Sequence, residues 1–313
     1  MLTFAKYPGV GDTPLIEVDG ILVKLECVNR TGSIKDRIAW TILSESRRTG
    51  LLMPGQPVIE ATSGNTGIAM AYFGAKLGHP VTIVMPENMT EERKARIRDL
   101  GADLILCSVE GSFAEAAEIR DRMAHDKGWF NPDQFSNPLN PECHRRTTGT
   151  ELMADGRRIH AFVAGVGTGG TLIGVGQALT DEWPDTAVVA VEPAESAVMS
   201  GGPAGPHAIY GIGDGFIPAI ASDGAGGLHP MITGVEVIAS DDAIEAARDL
   251  RDRLGLCVGI SSGANYLAAR RLQRTHEVVA TVFSDGYAKY LGHGLCHAEP
   301  GQCVFEHRCA MTP

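Results

Sequence analysis

The sequence predicts an α/β protein of two lobes, each a mostly parallel twisted sheet covered by helices. Three observations carry this. The chain has 313 residues, 44% of them hydrophobic, enough for a sizeable core and, at this length, for two lobes or one large domain. Short β-branched apolar runs recur along it, and longer stretches of helical composition separate them. Strands that alternate with helices in this way pair in parallel and are buried on both faces, so they read as continuous apolar runs.

The runs expected as strands are 22–25, 58–60, 81–85, 103–106, 161–164, 188–191 and 278–283. The stretches expected as helices include 66–77, 90–100, 112–127, 241–254 and 264–274. The Pro- and Asn-rich segment 132–144, PDQFSNPLNPECH, breaks the alternation and is expected as a crossing between lobes. Nine glycines fall between Ser200 and Gly227, which suits a loop over a site or a long surface connection. No internal repeat or low-complexity tract is present.

A net charge of −11 and a pI near 5.4 exclude a nucleic-acid footprint, which needs clustered Lys and Arg. An anionic substrate must then be held by local groups. No apolar run approaches the roughly 20 residues that cross a bilayer, and the N-terminus has no charged region followed by a long apolar stretch. A cytoplasmic protein without a membrane partner is the expectation. Seven scattered cysteines fit a reducing compartment better than a disulfide framework.

Three motifs carry chemistry. In VAGVGTGGT, Gly165 to Gly170 follow a strand-like run and precede a helical pattern, which places glycine backbone at a helix N-terminus. Free N–H groups and the dipole there bind phosphate, and the hydroxyls of Thr168 and Thr171 can add hydrogen bonds. The alternatives are a plain strand-to-helix turn and, as the main functional competitor, a dinucleotide site. In EATSGNTG, Ser63, Asn65 and Thr66 put short polar side chains at another helix start, suited to a carboxylate or simply to capping. In RTGSIKDR, Lys35 is either a solvated helix start or an imine-forming lysine, which needs partial burial or a cationic neighbour. The residues alone do not choose.

Taken in order, these motifs resemble the cysteine synthase (O-acetylserine sulfhydrylase) and cystathionine β-synthase family of fold-type II pyridoxal-phosphate enzymes. The resemblance runs nearly the whole chain: TPL at Thr13 to Leu15, KLE at Lys24 to Glu26, GSIKDR, EATSGNTGIA, MPENMTEERKARIRDLGADLIL, QFSNPLNP, TTG at Thr147 to Gly149, GVGTGGT, VEPAES, SGGPAGPHAIYGIGDGFIP and VGISSGA. It implies a tryptophan-synthase β-like fold, with a smaller substrate-closing domain over 36–140 and a larger cofactor-binding domain over 1–35 and 141–313. It also implies that Lys35 forms a Schiff base with pyridoxal 5'-phosphate and later moves the substrate proton. Asn65 would bond the cofactor's phenolic oxygen, Gly167, Thr168, Gly169, Gly170 and Thr171 its phosphate, and Ser261 its pyridine nitrogen. Thr62, Ser63, Gly64, Thr66 and Gln134 would take the substrate's α-carboxylate side, with Gly211 also lining the substrate.

A hydroxyl at the ring nitrogen cannot keep it protonated as an Asp would, so the electron sink is moderate and expulsion of a β-leaving group is favoured over transamination. The resemblance thus implies β-replacement on an activated serine, foremost O-acetyl-L-serine plus sulfide giving L-cysteine and acetate. Homocysteine, cyanide or an amine as nucleophile are the alternatives, with a catalytically silent, partner-binding member a further one. A homodimer is implied, and the C-terminal peptide of serine acetyltransferase is a candidate partner.

Two departures from the family pattern stand out. Asp214 in GIGDGF replaces a small neutral residue; facing the site, its carboxylate would repel sulfide anion and favour an amine-bearing or thiol amino-acid nucleophile. No arginine stands in that loop, so O-phosphoserine is a weaker donor than O-acetylserine. PSSGERYL becomes FSDGYAKYL, followed by a tail with His293, Cys296, His297, Cys303, His307 and Cys309. That tail lacks a compact CxxC pair, so no metal site is expected. Cys27 is expected to pack rather than to react, and no regulatory domain is expected.

Overall fold

In the computed structural model, residues 4–62, 64–109, 112–287, Tyr290 and Leu295 are described, and their apolar runs form two sheets in two units. The smaller unit contains Lys35–Leu139 with the segment that ends at Pro8; the larger contains Gly9–Ile34 and the described residues from Asn140 onward.

The larger unit opens with an antiparallel hairpin of β1 (Leu15–Val18) and β2 (Ile21–Leu25). Its turn is Asp19-Gly20, with φ of 48° and 81°. Two consecutive positive φ values are what a two-residue type I′ turn requires, and Asp-Gly supplies them at low cost. The Asp19 carboxylate accepts from Arg253 Nη2 at 2.9 Å and from the Tyr266 hydroxyl at 2.6 Å. The Arg253 bond, then the Tyr266 bond, hold it below the usual carboxylate range.

In the smaller unit, α1 (Lys35–Arg48) leads to β3 (Val58–Ala61), α2 (Asn65–Leu77), β4 (Val81–Pro86), α3 (Glu91–Asp99), β5 (Asp103–Cys107) and α4 (Ser112–Lys127). The three strands are parallel in the order β3-β4-β5. The resemblance implies residues 1–35 in the larger domain, whereas the segment to Pro8 and Lys35 fall in the smaller unit. For that segment the reason is aromatic packing: the Tyr7 ring lies 4.8 Å from Trp40 and 5.2 Å from Phe73, centroid to centroid.

The larger unit resumes with α5 (Leu139–His144), α6 (Thr150–Met153), β6 (Ala161–Gly165), α7 (Gly170–Glu182), β7 (Ala187–Pro193), β8 (Gly234–Ile238), α8 (Ser240–Leu254), α9 (Ile260–Leu272) and β9 (Val279–Phe283). Its sheet runs β1-β2-β9-β6-β7-β8, parallel throughout except for the β1–β2 pair. Val163, Val191, Val279 and Phe283 from the central strands pack with Leu250, Ala264 and Ala268 of the covering helices. The two strands that the apolar runs do not announce, β1 and β8, are the sheet's edges. Edge strands are half-solvated, and β8 is accordingly only partly buried along most of its length.

Among the described residues no helix is long and apolar enough to cross a membrane. The α8–α9 contact is close enough that a Cβ on Gly263 would sit 2.1 Å from the Ala243 carbonyl oxygen. Backbone cannot yield there as a flexible side chain would. Gly263→Ala is therefore expected to destabilise the fold by about 1–3 kcal/mol, read as a lowered midpoint in thermal unfolding.

Candidate active site

The sequence-singled residues divide between the two units, and each unit builds its own local constellation. In the smaller unit Lys35 is the first residue of α1 and is half-buried, an environment compatible with an amine that must shed its proton to form an imine. Asp36 and Arg37 beside it are buried, so the charged run is not a solvated helix start.

The EATSGNTG segment is the turn from β3 into α2. Gly64 is the N-cap of α2 and has no side chain with which to accept the helix's first N–H groups, which leaves them for an anion. The Gly64 N–H itself bonds Thr62 Oγ1 at 3.2 Å. A Cβ on Gly67 would lie 2.9 Å from the Thr62 methyl, so the small residue lets the first turn sit down on the strand. Asn65 opens α2, half-buried, and Thr66 follows it, buried. The Thr66 hydroxyl donates to Gln134 Oε1 at 2.7 Å, and Gln134 Nε2 donates to the Ala61 carbonyl at 3.3 Å. The structure thus brings Gln134, from a segment read as a lobe crossing, onto the loop that holds Thr62, Gly64 and Thr66. Ser63 lies outside the described residues.

Two residues of this unit were missed by motif reading. Arg93 is buried, and its side chain would lie 3.4 Å from a Cβ placed on Gly64, which sets a guanidinium beside the loop. It sits in an Arg- and Glu-rich helix where a charged run reads as a solvated face. Glu60, in the middle of β3, is fully buried. Its Oε1 accepts from Ala61 N–H at 3.0 Å and Arg120 Nη1 at 3.3 Å, and its Oε2 from Gln134 N–H at 3.2 Å. Burial pushes this carboxyl up to about 7, against the lowering effect of Arg120 and the two backbone donors.

In the larger unit the turn from β6 into α7 carries Gly167 to Thr171. Gly169 is the N-cap, left-handed at φ 83°, so glycine is required there on conformational grounds. The loop is hemmed in on several sides. A Cβ on Gly167 would meet the Gly211 carbonyl oxygen at 2.3 Å, one on Gly169 the Ala221 Cβ at 3.0 Å, and one on Gly170 the Asn140 Oδ1 at 1.8 Å. Thr168 Oγ1 accepts from Asn140 Nδ2 at 2.9 Å, which turns its own O–H toward another acceptor. Thr171 Oγ1 lies 3.3 Å from His144 Nε2, and Thr148 Oγ1 lies 2.9 Å from His144 Nδ1. Asn140 and His144 are supports that no motif pointed to.

Ser261 lies in the first turn of α9, behind a third glycine N-cap, Gly259. The helix is tied to the end of β6, because Asn265 Oδ1 accepts from Gly165 N–H at 2.8 Å and Nδ2 donates to the Val282 carbonyl at 2.9 Å. Asp285, from the altered FSDG segment, is buried and accepts from the Tyr290 hydroxyl at 2.6 Å. Its carbonyl accepts from Gly259 N–H at 2.9 Å, so it supports the turn before Ser261. Asp214 is half-buried between Gly213 and Gly215, at φ 71° and 84°, and His207 anchors this loop through the Gly213 carbonyl at 2.9 Å. Cys27 packs against the core. Among the described residues no cluster of His, Cys, Asp and Glu is arranged to hold a metal; His293, Cys296, His297, Cys303, His307 and Cys309 lie outside them.

The α7 loop fits the phosphate of pyridoxal phosphate. The helix starts behind a glycine cap with no side-chain cap bond, its glycines admit close approach of neighbouring backbone and side chains, and the buried Thr168 hydroxyl, an acceptor from Asn140 Nδ2, keeps a proton to donate.

Comparison with known proteins agrees. A model of the pyridoxal-phosphate dependent enzyme family matches residues 6–285. A cysteine synthase of Staphylococcus aureus is 39% identical over 305 residues, 91% of this chain and 94% of that one. The structure superposes on a cysteine synthase from Entamoeba histolytica with a TM-score of 0.85 at 33% identity, covering 96% of this chain and 95% of the other. A hydrogen sulfide-producing enzyme from Fusobacterium nucleatum gives 0.83 at 40% identity, covering 93% and 87%. With a match over this much of its length, the chain belongs to the pyridoxal-phosphate dependent enzyme family.

Proposed function

We propose that this enzyme catalyses β-replacement on an activated serine, joining sulfide to O-acetyl-L-serine to give L-cysteine and acetate. The observation that carries the reading is the glycine-capped start of α2, where buried Thr66 bonds Gln134 on a loop suited to an amino-acid carboxylate. When bound, pyridoxal phosphate supplies an aldehyde for the substrate amine and an electron sink for bond breaking at the α-carbon. Lys35 Nζ would hold the cofactor and would take the α-proton and return it. Asn65 would orient the cofactor's phenolic oxygen, Gly167 to Thr171 would hold its phosphate, and Ser261 would bond its pyridine nitrogen without protonating it. Thr62, Ser63, Gly64, Thr66 and Gln134 hold the carboxylate, Gly211 lines the β-substituent, and Arg93 adds attraction for the anion. Loss of the α-proton would let the carbon–oxygen bond to acetate break, and the nucleophile would then form the carbon–sulfur bond at the β-carbon as the proton returns to the α-carbon.

Asp214 favours a second reading, in which the physiological nucleophile is an amino acid bearing an amine or thiol. Its half-buried carboxylate stands in the loop that begins at Gly211, and Gly211 abuts the cradle. A fixed negative charge there disfavours hydrosulfide anion. The relative from Fusobacterium nucleatum, named as a producer of hydrogen sulfide, is consistent with chemistry in which sulfide leaves. The setting we propose is a cytoplasmic homodimer, with a serine acetyltransferase C-terminal peptide as a candidate partner.

Incubation of purified enzyme with O-acetylserine and, separately, sulfide, homocysteine, cyanide or an amine, with acetate and amino-acid products quantified, tests both readings. Acetate release with cysteine as the dominant product supports the first. Preference for an amino-acid nucleophile supports the second, and absence of any β-replacement contradicts both. Lys35→Ala is expected to abolish turnover and the borohydride-fixed cofactor label on the peptide that contains it. Asp214→Ala is expected to shift kcat/KM toward sulfide by roughly tenfold; an unchanged nucleophile ratio would place the carboxylate away from the incoming group.

A further inference from the structure

We infer that Glu60 is a positioning residue: paired with Arg120, it holds Gln134 in place for the substrate's α-carboxylate. The inference rests on the carboxylate role proposed for Gln134.

Three independent features converge on it. The first is chemical. A strand buried on both faces should be apolar, yet β3 carries an acid at its centre with no solvent contact. Each of its bonds has a consequence. Oε1 takes Ala61 N–H and the Arg120 guanidinium, and Oε2 takes the backbone N–H of Gln134. The Gln134 side chain then spans Ala61 and Thr66. One carboxylate therefore fixes both the β3 exit and the glutamine that closes over it.

The second feature is conformational. Asp133, the residue before Gln134, has φ of 45°, a left-handed conformation uncommon for a residue other than glycine. Local bonds over-determine it: Asp133 N–H donates to Asn131 Oδ1 at 2.9 Å, Ser136 Oγ bonds Asp133 Oδ2, and the Asp133 carbonyl accepts from Asn137 N–H at 2.9 Å. The turn aims the next N–H inward at Glu60.

The third is electrostatic. Arg120 is buried, 3.3 Å from Glu60, 2.9 Å from Asp121 and 3.5 Å from Asp133. Arg120 from α4 and Asp133 from the loop are the charged groups that face Glu60. Burial raises the carboxyl to about 7, so near neutrality it passes between a form that can accept at both oxygens and a protonated form that must give one acceptor site up. The raised value also has a stability consequence. Stability linked to this group is fully present below the ordinary carboxyl value of 4.5 and is lost progressively as pH rises from there to about 7. The ionised form that organises Gln134 is thus the form that costs stability, as expected of a group kept for the site rather than for folding.

Glu60→Gln retains size while removing the charge. Steady-state kinetics with O-acetylserine varied at saturating sulfide should show KM for the amino acid raised roughly tenfold, with cofactor content, kcat and KM for sulfide nearly unchanged. In the parent enzyme that KM should rise as pH falls through about 7; in Glu60→Gln the inflection should vanish, together with the parent's decline in thermal midpoint as pH rises from 4.5 to about 7. Equal KM values with superimposable pH profiles would overturn the inference. Should Glu60→Gln fail to fold, the parent's profile decides: a flat KM through neutrality overturns the role. Hydrogen exchange of residues 133–137 separates this inference from the function it rests on. If the parent does not turn over O-acetylserine, the proposed function fails. Faster exchange of that segment in Glu60→Gln then still supports the positioning role, and unchanged exchange contradicts it.

Discussion

A helix that starts where a strand has just ended leaves its first N–H groups without intrahelical partners, and much of this protein's chemistry depends on how those groups are left open. At most helix starts a Ser, Thr, Asp or Asn accepts one of them. Here α2, α7 and α9, three of the helices whose first turns hold candidate site residues, begin behind a glycine, at Gly64, Gly169 and Gly259. A glycine cap offers no side-chain acceptor and lets neighbouring backbone approach. In the function proposed above these helix starts would serve outside acceptors: a carboxylate at α2, a phosphate at α7, a ring nitrogen at the Ser261 hydroxyl of α9.

Open helix starts place demands on their surroundings, and the supports can be traced in each unit. Around α7 they are Asn140 bonded to Thr168 and His144 next to Thr171. Around α9 they are Asn265, tied to β6 and β9, and Asp285 under the Gly259 turn. Around α2 they are the Glu60–Arg120 pair and the left-handed turn at Asp133. Most of these groups are buried and polar, and their bonds give the loops definition that glycine alone would not.

The architecture was legible in sequence wherever burial was complete. Central strands such as β4 and β6 are buried on both faces, and their apolar runs announce them within a residue or two. The edges β1 and β8 were not legible because half-solvated strands have no such run, although the Asp19-Gly20 pair was an available hairpin signal. Backbone-driven motifs were legible for the same kind of reason: a phosphate loop needs glycine in sequence, and Gly167 to Gly170 show it. Side-chain supports were not, because their partners lie far along the chain. Glu60 meets Arg120 and Gln134 across 60 and 74 residues, and nothing local marks any of the three as belonging together. Arg93 and Asp36 were hidden differently, inside charged runs whose ordinary fate is exposure.

If the glycine-capped start of α7 is the anion site for the cofactor's phosphate, phosphorus NMR during titration with pyridoxal phosphate, run beside a titration with pyridoxal, which lacks the phosphate, tests it most directly. A bound phosphate resonance in slow exchange and binding of pyridoxal weaker by roughly a hundredfold are expected. Equal binding of the two, or a phosphate resonance unchanged from free solution, would contradict it.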